Sequence, residues 1–129
     1  MTVGIPRALF YHRYGYLWES FFEELNIPYV VSEASSQKLL ADGIKYTVDE
    51  SCLPLKLYMG HVSALLDRAD LLFVPRFVRL GPKDEFCVRF WGLCDTVCST
   101  FQDARLLSYE LKSGKAGHER AGFLKMGGF

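Results

Sequence analysis

The residues best able to do chemistry in this 129-residue chain are its four cysteines, Cys52, Cys87, Cys94 and Cys98. Cys52 lies in the stretch VDESCLPLKLYMGHV, just ahead of Pro54 and Lys56, with Gly60 and His61 further on. The spacing of Leu55, Tyr58, Val62, Leu65, Leu66 and Ala69 predicts a helix starting near Cys52, with Ser51 as its cap and Pro54 in its first turn. A cysteine at a helix start meets unpaired N–H groups and the positive end of the helix dipole, which favour a negative sulfur. That suits a nucleophile, a metal ligand or a ligand to an anionic cluster. The competing reading is a small apolar residue packed in the core, since cysteine is among the most buried residue types.

The other three cysteines fall in FCVRFWGLCDTVC, with six residues between Cys87 and Cys94 and three between Cys94 and Cys98. On a helix, Cys94 and Cys98 share one face. This spacing permits a metal site without specifying one. Zinc is the weaker match, even with His61 as a further ligand, because no paired short cysteine knuckle is present. Lys56 reads either as a residue lining the Cys52 site or as a solvated helix residue. His61 follows a glycine in mid-helix, where glycine costs about 1 kcal/mol relative to alanine. Something therefore approaches the backbone closely there, and a neighbouring helix is the simpler candidate than a ligand. His12 reads as a surface or satisfied residue, and His118 lies in a glycine-rich tail. No phosphate loop, dinucleotide fingerprint or nucleophile elbow occurs, so nothing points to binding of ATP or a dinucleotide by this chain.

Composition narrows the class. Half of the residues are apolar and 15% aromatic, enough to build a globular core. Basic and acidic residues balance at 15 each, which removes the electrostatic reason to expect nucleic acid. No apolar run approaches the roughly 20 residues needed to cross a bilayer, and MTVGIPRALF lacks the pattern of a signal peptide. The chain is therefore expected in the cytoplasm, off the membrane, with its cysteines reduced.

The elements that must position these residues alternate in type. Val3–Ile5 reads as a strand ending at Pro6. Residues 9–25 form an amphipathic helix through Phe10, Tyr14, Leu17, Trp18, Phe21, Phe22 and Leu25, ended by Asn26. Residues 27–31 read as a second strand. Ser35 or Ser36 caps a short helix stopped by Gly43, and residues 44–48 read as strand or more helix. After the Cys52 helix, residues 71–75 form a buried strand; a loop with Gly81 and Pro82 follows, and residues 94–111 read as a last helix. This order predicts an α/β layer fold with a small, mostly parallel sheet over residues 1–112, and a poorly ordered or truncated tail at 113–129. VDESC and VPRFVRLGPKDEFC then fall at the carboxyl ends of strands, where such sheets gather ligands.

Four segments, VGIPRALFYHRYGYLWESFFEEL, DESCLPLKLYMGHV, LLFVPRFVRL and FCVRFWGLCD, together resemble one family over residues 3–95. It is the domain of unknown function found with, and often fused to, activases of 2-hydroxyacyl-CoA dehydratases, related to the dehydratase D-component and to double-cubane-cluster proteins. The resemblance implies a Rossmann-like three-layer α/β domain. It implies an iron–sulfur cluster of the 4Fe–4S kind, held partly at the positions of Cys52 and Cys87. It also implies an ATP-dependent activase as partner, passing single low-potential electrons in anaerobic metabolism. The chain departs from the family pattern in having Val88 and Cys94 where proline is usual; Cys94 and Cys98 then either replace missing ligands, with Cys94 the candidate, or are incidental. Members usually run well beyond this length, so the chain reads as one lobe of a larger protein, and alone it is expected to hold metal poorly.

Two readings of function follow. In the first the chain is an iron–sulfur electron acceptor or accessory protein, with Cys52, Cys87 and Cys94 as ligands and with Lys56 and His61 lining the site. In the second it is a cluster-free module that binds the activase or a second copy of itself through the aromatic helix, where Tyr11, Tyr14, Tyr16, Phe21 and Phe22 occupy more than one face.

Overall fold

The computed structural model describes residues 1–79 and 86–112, and the chain divides into two compact units, Met1–Phe73 and Val74–Phe129. The expected tail, 113–129, and the Gly81–Pro82 loop lie outside the described residues. Among the described residues, no helix is long and apolar enough to cross a membrane.

In the first unit the order is β1 (Val3–Ile5), α1 (Tyr11–Glu24), β2 (Tyr29–Val31), α2 (Gln37–Ile44), α3 (Leu53–Leu65) and β3 (Leu71–Phe73). The strands form a parallel sheet in the order β2-β1-β3, with Val3 opposite Tyr29 on one side and Leu71 on the other. Parallel neighbours need crossover connections, and the helices supply them. This is the α/β class and the small parallel sheet that the alternation of elements predicts. The core forms where α1 meets the sheet: the rings of Trp18 and Phe22 stand edge-on to Phe73 at centroid distances of 5.0 and 5.6 Å. Most aromatics of α1 therefore serve packing, while Tyr16 remains 73% exposed. Asn26 ends the α1 segment in the left-handed region, with φ 55°, as its side chain allows.

Gly43 does not stop α2; the helix runs one residue past it. Its role is contact. A Cβ on Gly43 would lie 1.8 Å from the Lys56 carbonyl oxygen, and one on Gly60 would lie 2.0 Å from the Leu39 carbonyl oxygen. The two helices thus cross backbone to backbone, and the neighbouring helix is what approaches Gly60. Residues 45–47 turn away rather than forming a strand or extending the helix.

The second unit contains β4 (Arg76–Arg79), α4 (Val88–Trp91), α5 (Leu93–Thr100), β5 (Leu106–Leu107) and β6 (Glu110–Lys112). β4 and β6 pair in parallel, with Phe77 opposite Leu111. The expected helix over 94–111 ends at Thr100, and two short strands follow. The hydroxyls of Thr96, Ser99 and Thr100 each bond back to the carbonyl four residues earlier, a local competition that weakens a helix end. Leu107 and Leu111 fit helical spacing, yet Leu107, Tyr109 and Leu111 also alternate, and the strand pairing decides between the two periods. Phe77 anchors this unit between the rings of Phe86 and Tyr109, and the Trp91 indole N–H donates to the Val78 carbonyl at 3.0 Å.

Candidate functional site

Cys52 is the N-cap of α3, in extended backbone at φ −68° and ψ 155°, with Pro54 in the first turn. Ser51, expected as the cap, is instead buried one residue earlier. The Cys52 sulfur makes no capping hydrogen bond and the residue is exposed. That excludes core packing, the reading that competed with a ligand or nucleophile. Apolar side chains flank it on the surface: Val48 is 61% and Leu53 55% exposed. Lys56 stays near this end. Its N–H makes the first helical bond to the Cys52 carbonyl at 3.1 Å, and its ammonium donates to the Asp49 carbonyl at 3.1 Å.

His61 is placed quite differently. It lies nine residues along α3 from Cys52, a rise of about 13 Å. It has no solvent exposure, and both ring nitrogens are engaged: Nδ1 is 2.7 Å from the Ser32 hydroxyl and Nε2 is 2.9 Å from the Ser35 hydroxyl. Burial holds the imidazole below its ordinary value of 6.5, and the positive charges of His12 and Arg7 act in the same direction. Ser32, Ser35 and Arg7 were not legible as partners of His61 in the sequence. The only hints are the serine-rich SEASS after β2 and the glycine preceding His61.

In the second unit, Cys87 is the N-cap of the short α4, exposed, and its sulfur accepts the Arg89 N–H at 3.3 Å. It too is followed by an exposed apolar residue, Val88, at 68%. Cys94 and Cys98 lie one turn apart on α5, as their spacing predicts. Desolvation of its sulfur, the adjoining Cys94 thiol and the Asp95 carboxylate hold the Cys98 thiol above its ordinary value. Asp95 itself is paired with Arg76 at 3.1 Å.

An iron–sulfur cluster asks for about four thiolates or their substitutes. The donors fit in kind: the cysteines are free, Cys52 and Cys87 are exposed, and an N–H to sulfur bond such as the one at Cys87 is among the levers that tune cluster sites. The number gathered does not complete a site. Among the described residues of either unit, no three His, Cys, Asp or Glu side chains assemble into a group able to hold a metal ion.

The family model described as CoA enzyme activase uncharacterised domain matches residues 2–125. The chain belongs to that family. No curated protein and no solved structure matches it. The match covers every described element, and it agrees with the resemblance carried by GIPRAL and DESCLPLK. Membership in this family links the chain to CoA enzyme activases.

Proposed function

We propose that the chain is an accessory domain of a CoA enzyme activase system in which Cys52 and, in the second unit, Cys87 are thiolate ligands for an iron–sulfur cluster, with Cys94 as a further donor. The observation that carries this reading is the exposure of Cys52 at the start of α3, its sulfur making no capping hydrogen bond, beside the exposed apolar Val48 and Leu53. A cysteine kept for packing would be buried, and apolar residues left around a thiol suit a surface that another part of the assembly covers. The remaining ligands come from outside the described residues. When bound, the cluster would supply single-electron transfer, accepting from an ATP-dependent activase of the kind that serves 2-hydroxyacyl-CoA dehydratases. This chain's own part is to present soft thiolates at helix starts, with Lys56 placing a positive charge one turn behind Cys52. His61 acts from a distance by fixing the loop after β2. A cytoplasmic, reducing setting keeps the four cysteines free.

Iron, zinc and acid-labile sulfide per chain, measured on anaerobically purified and reconstituted protein, test this reading. Iron and sulfide in comparable amounts, lost in Cys52→Ser and Cys87→Ser with the fold retained, are expected. Neither metal nor sulfide, with or without added activase, overturns it. The cluster-free interaction module is then left, favoured by the exposed Tyr16 and Leu17 on α1. Loss of activase binding in Tyr16→Ser would support that second reading.

A further inference from the structure

The charges of α1 run against its own dipole. The N-terminus of a helix is its positive end and favours acids, and the C-terminus favours bases. The first turn of α1 holds no acid and the last turn no base. Instead His12 and Arg13 stand at the start, Glu23 and Glu24 at the end, and all four are exposed. This placement weakens an isolated helix, so the stability of α1 itself does not explain it. Glu23 is answered within the unit by the Tyr29 hydroxyl, which donates to it at 2.7 Å. Among the described residues, no group pairs with the Glu24 carboxylate, and Arg13 meets only the face of the Tyr14 ring, at 5.6 Å.

The same face carries the apolar residues that α1 leaves outside the core. Gly15, Trp18 and Phe22 turn inward. The opposite stripe runs Arg13, Tyr16, Leu17, Ser20 and Glu24, at spacings of three and four. Tyr16 and Leu17, 73% and 41% exposed, lie between the charged ends. From Arg13 to Glu24 the stripe rises about 16 Å. Its order is basic, apolar, small, acidic, and that order is its own complement when two copies of the helix run antiparallel. Arg13 of each copy then meets Glu24 of the other, and Leu17 faces Ser20, whose small side chain leaves room for it. The arrangement also brings an acid to the start of each α1 and a base to its end, which corrects the mismatch with the dipole. The balance of 15 basic and 15 acidic residues leaves no net repulsion between copies.

We propose that α1 is the contact face of a two-fold symmetric dimer of this chain, two α1 helices packing antiparallel through Tyr16, Leu17 and Ser20, with an Arg13–Glu24 pair at each end. A two-fold interface uses the same patch on both copies, so one self-complementary stripe is sufficient. A single helix face is at the small end of specific interfaces, so the dimer forms and dissociates with concentration. Surface ion pairs contribute little each. Tyr16 and Leu17 therefore supply most of the affinity, and the charges fix the direction of pairing. The dimer uses no cysteine and needs no metal, so it stands apart from the thiolate reading. For the reading as an interaction module, it names a second copy of the chain as the occupant of α1.

The test is sedimentation velocity of the metal-free full chain over about a hundredfold range of concentration, with circular dichroism of each variant to establish that it folds. A reversible equilibrium between monomer and dimer is expected. Leu17→Lys should weaken the dimer by about tenfold or more. Arg13→Glu and Glu24→Arg should each weaken it about tenfold, because each turns both symmetry-related pairs from attraction to repulsion. An equimolar mixture of those two variants should recover the dimer, since one carries acids at both ends of the stripe and the other carries bases at both. A merely structural role for either residue gives no such recovery. A monomer at every concentration, a dimer indifferent to Leu17→Lys, or a mixture no tighter than its components would overturn the proposal. Capture of added activase by a monomeric chain, lost in Leu17→Lys, would overturn it too and give the face to the activase. Iron plays no part in the readout, so failure here leaves the thiolate reading untouched.

Discussion

The two ends of α3 are treated in opposite ways. At the first end Cys52 is exposed, its sulfur without a capping bond; further along, His61 is sealed from solvent with both nitrogens bonded. Burying a polar ring is costly unless every donor and acceptor is met, so His61 is held by the fold and in turn holds the loop after β2. An exposed thiol incurs no such cost and does little for stability. The contrast separates a residue that the fold depends on from one that is free to serve something outside it.

The largest effect that would break this comparison comes from the helix crossing that seats His61. Gly60→Ala places a Cβ 2.0 Å from the Leu39 carbonyl oxygen, and the backbones cannot yield without separating. A loss of about 3 kcal/mol or more is expected in urea unfolding; a loss below about 1 kcal/mol would mean that the crossing is loose. His61→Ala should cost about 3 kcal/mol, from the cavity and from the stranded Ser32 hydroxyl together.

A smaller effect sharpens the same end. The folded protein holds His61 below 6.5, so it binds fewer protons there than the unfolded chain does. The neutral imidazole's contribution is complete above pH 6.5 and is lost as pH falls from that value toward the lower folded one. Urea midpoints measured from pH 7.5 downward should drop with a slope of at most about 1.4 kcal/mol per pH unit from this group. The same slope in a destabilised but folded His61 variant would assign it to another residue.

The smallest effect tests the opposite end. Cys52→Ser should change stability by less than about 0.5 kcal/mol, as exposed substitutions do, while abolishing iron uptake in the reconstituted protein. A large stability loss would show that the thiol is packed after all. Unchanged iron would remove it from the ligand set.

Much of the first unit was legible because its signals are local. The strand at Val3–Ile5, the periodicity of α1, Asn26 in the left-handed turn and proline in the first turn of α3 each depend on a few neighbouring residues. Ser36, one of two serines able to cap α2, takes that role by accepting the Leu39 N–H at 3.2 Å, which leaves Ser35 for His61. The second unit was less legible. Leu107 and Leu111 satisfy a helix and a strand equally, β4 and α4 carry weak patterns, and only pairing with a distant segment settles such cases.

The sequence by itself determined the α/β alternation, the family and the cysteines worth suspecting, since these rest on residue type and short-range spacing. The tertiary structure alone decided that Gly43 and Gly60 mark a crossing rather than a stop, that Cys52 faces solvent, and that Ser32 and Ser35 close on His61 from 29 and 26 residues away. Burial and hydrogen-bond partnership are properties of pairs brought together by packing, and no local pattern encodes which distant residue will be the partner.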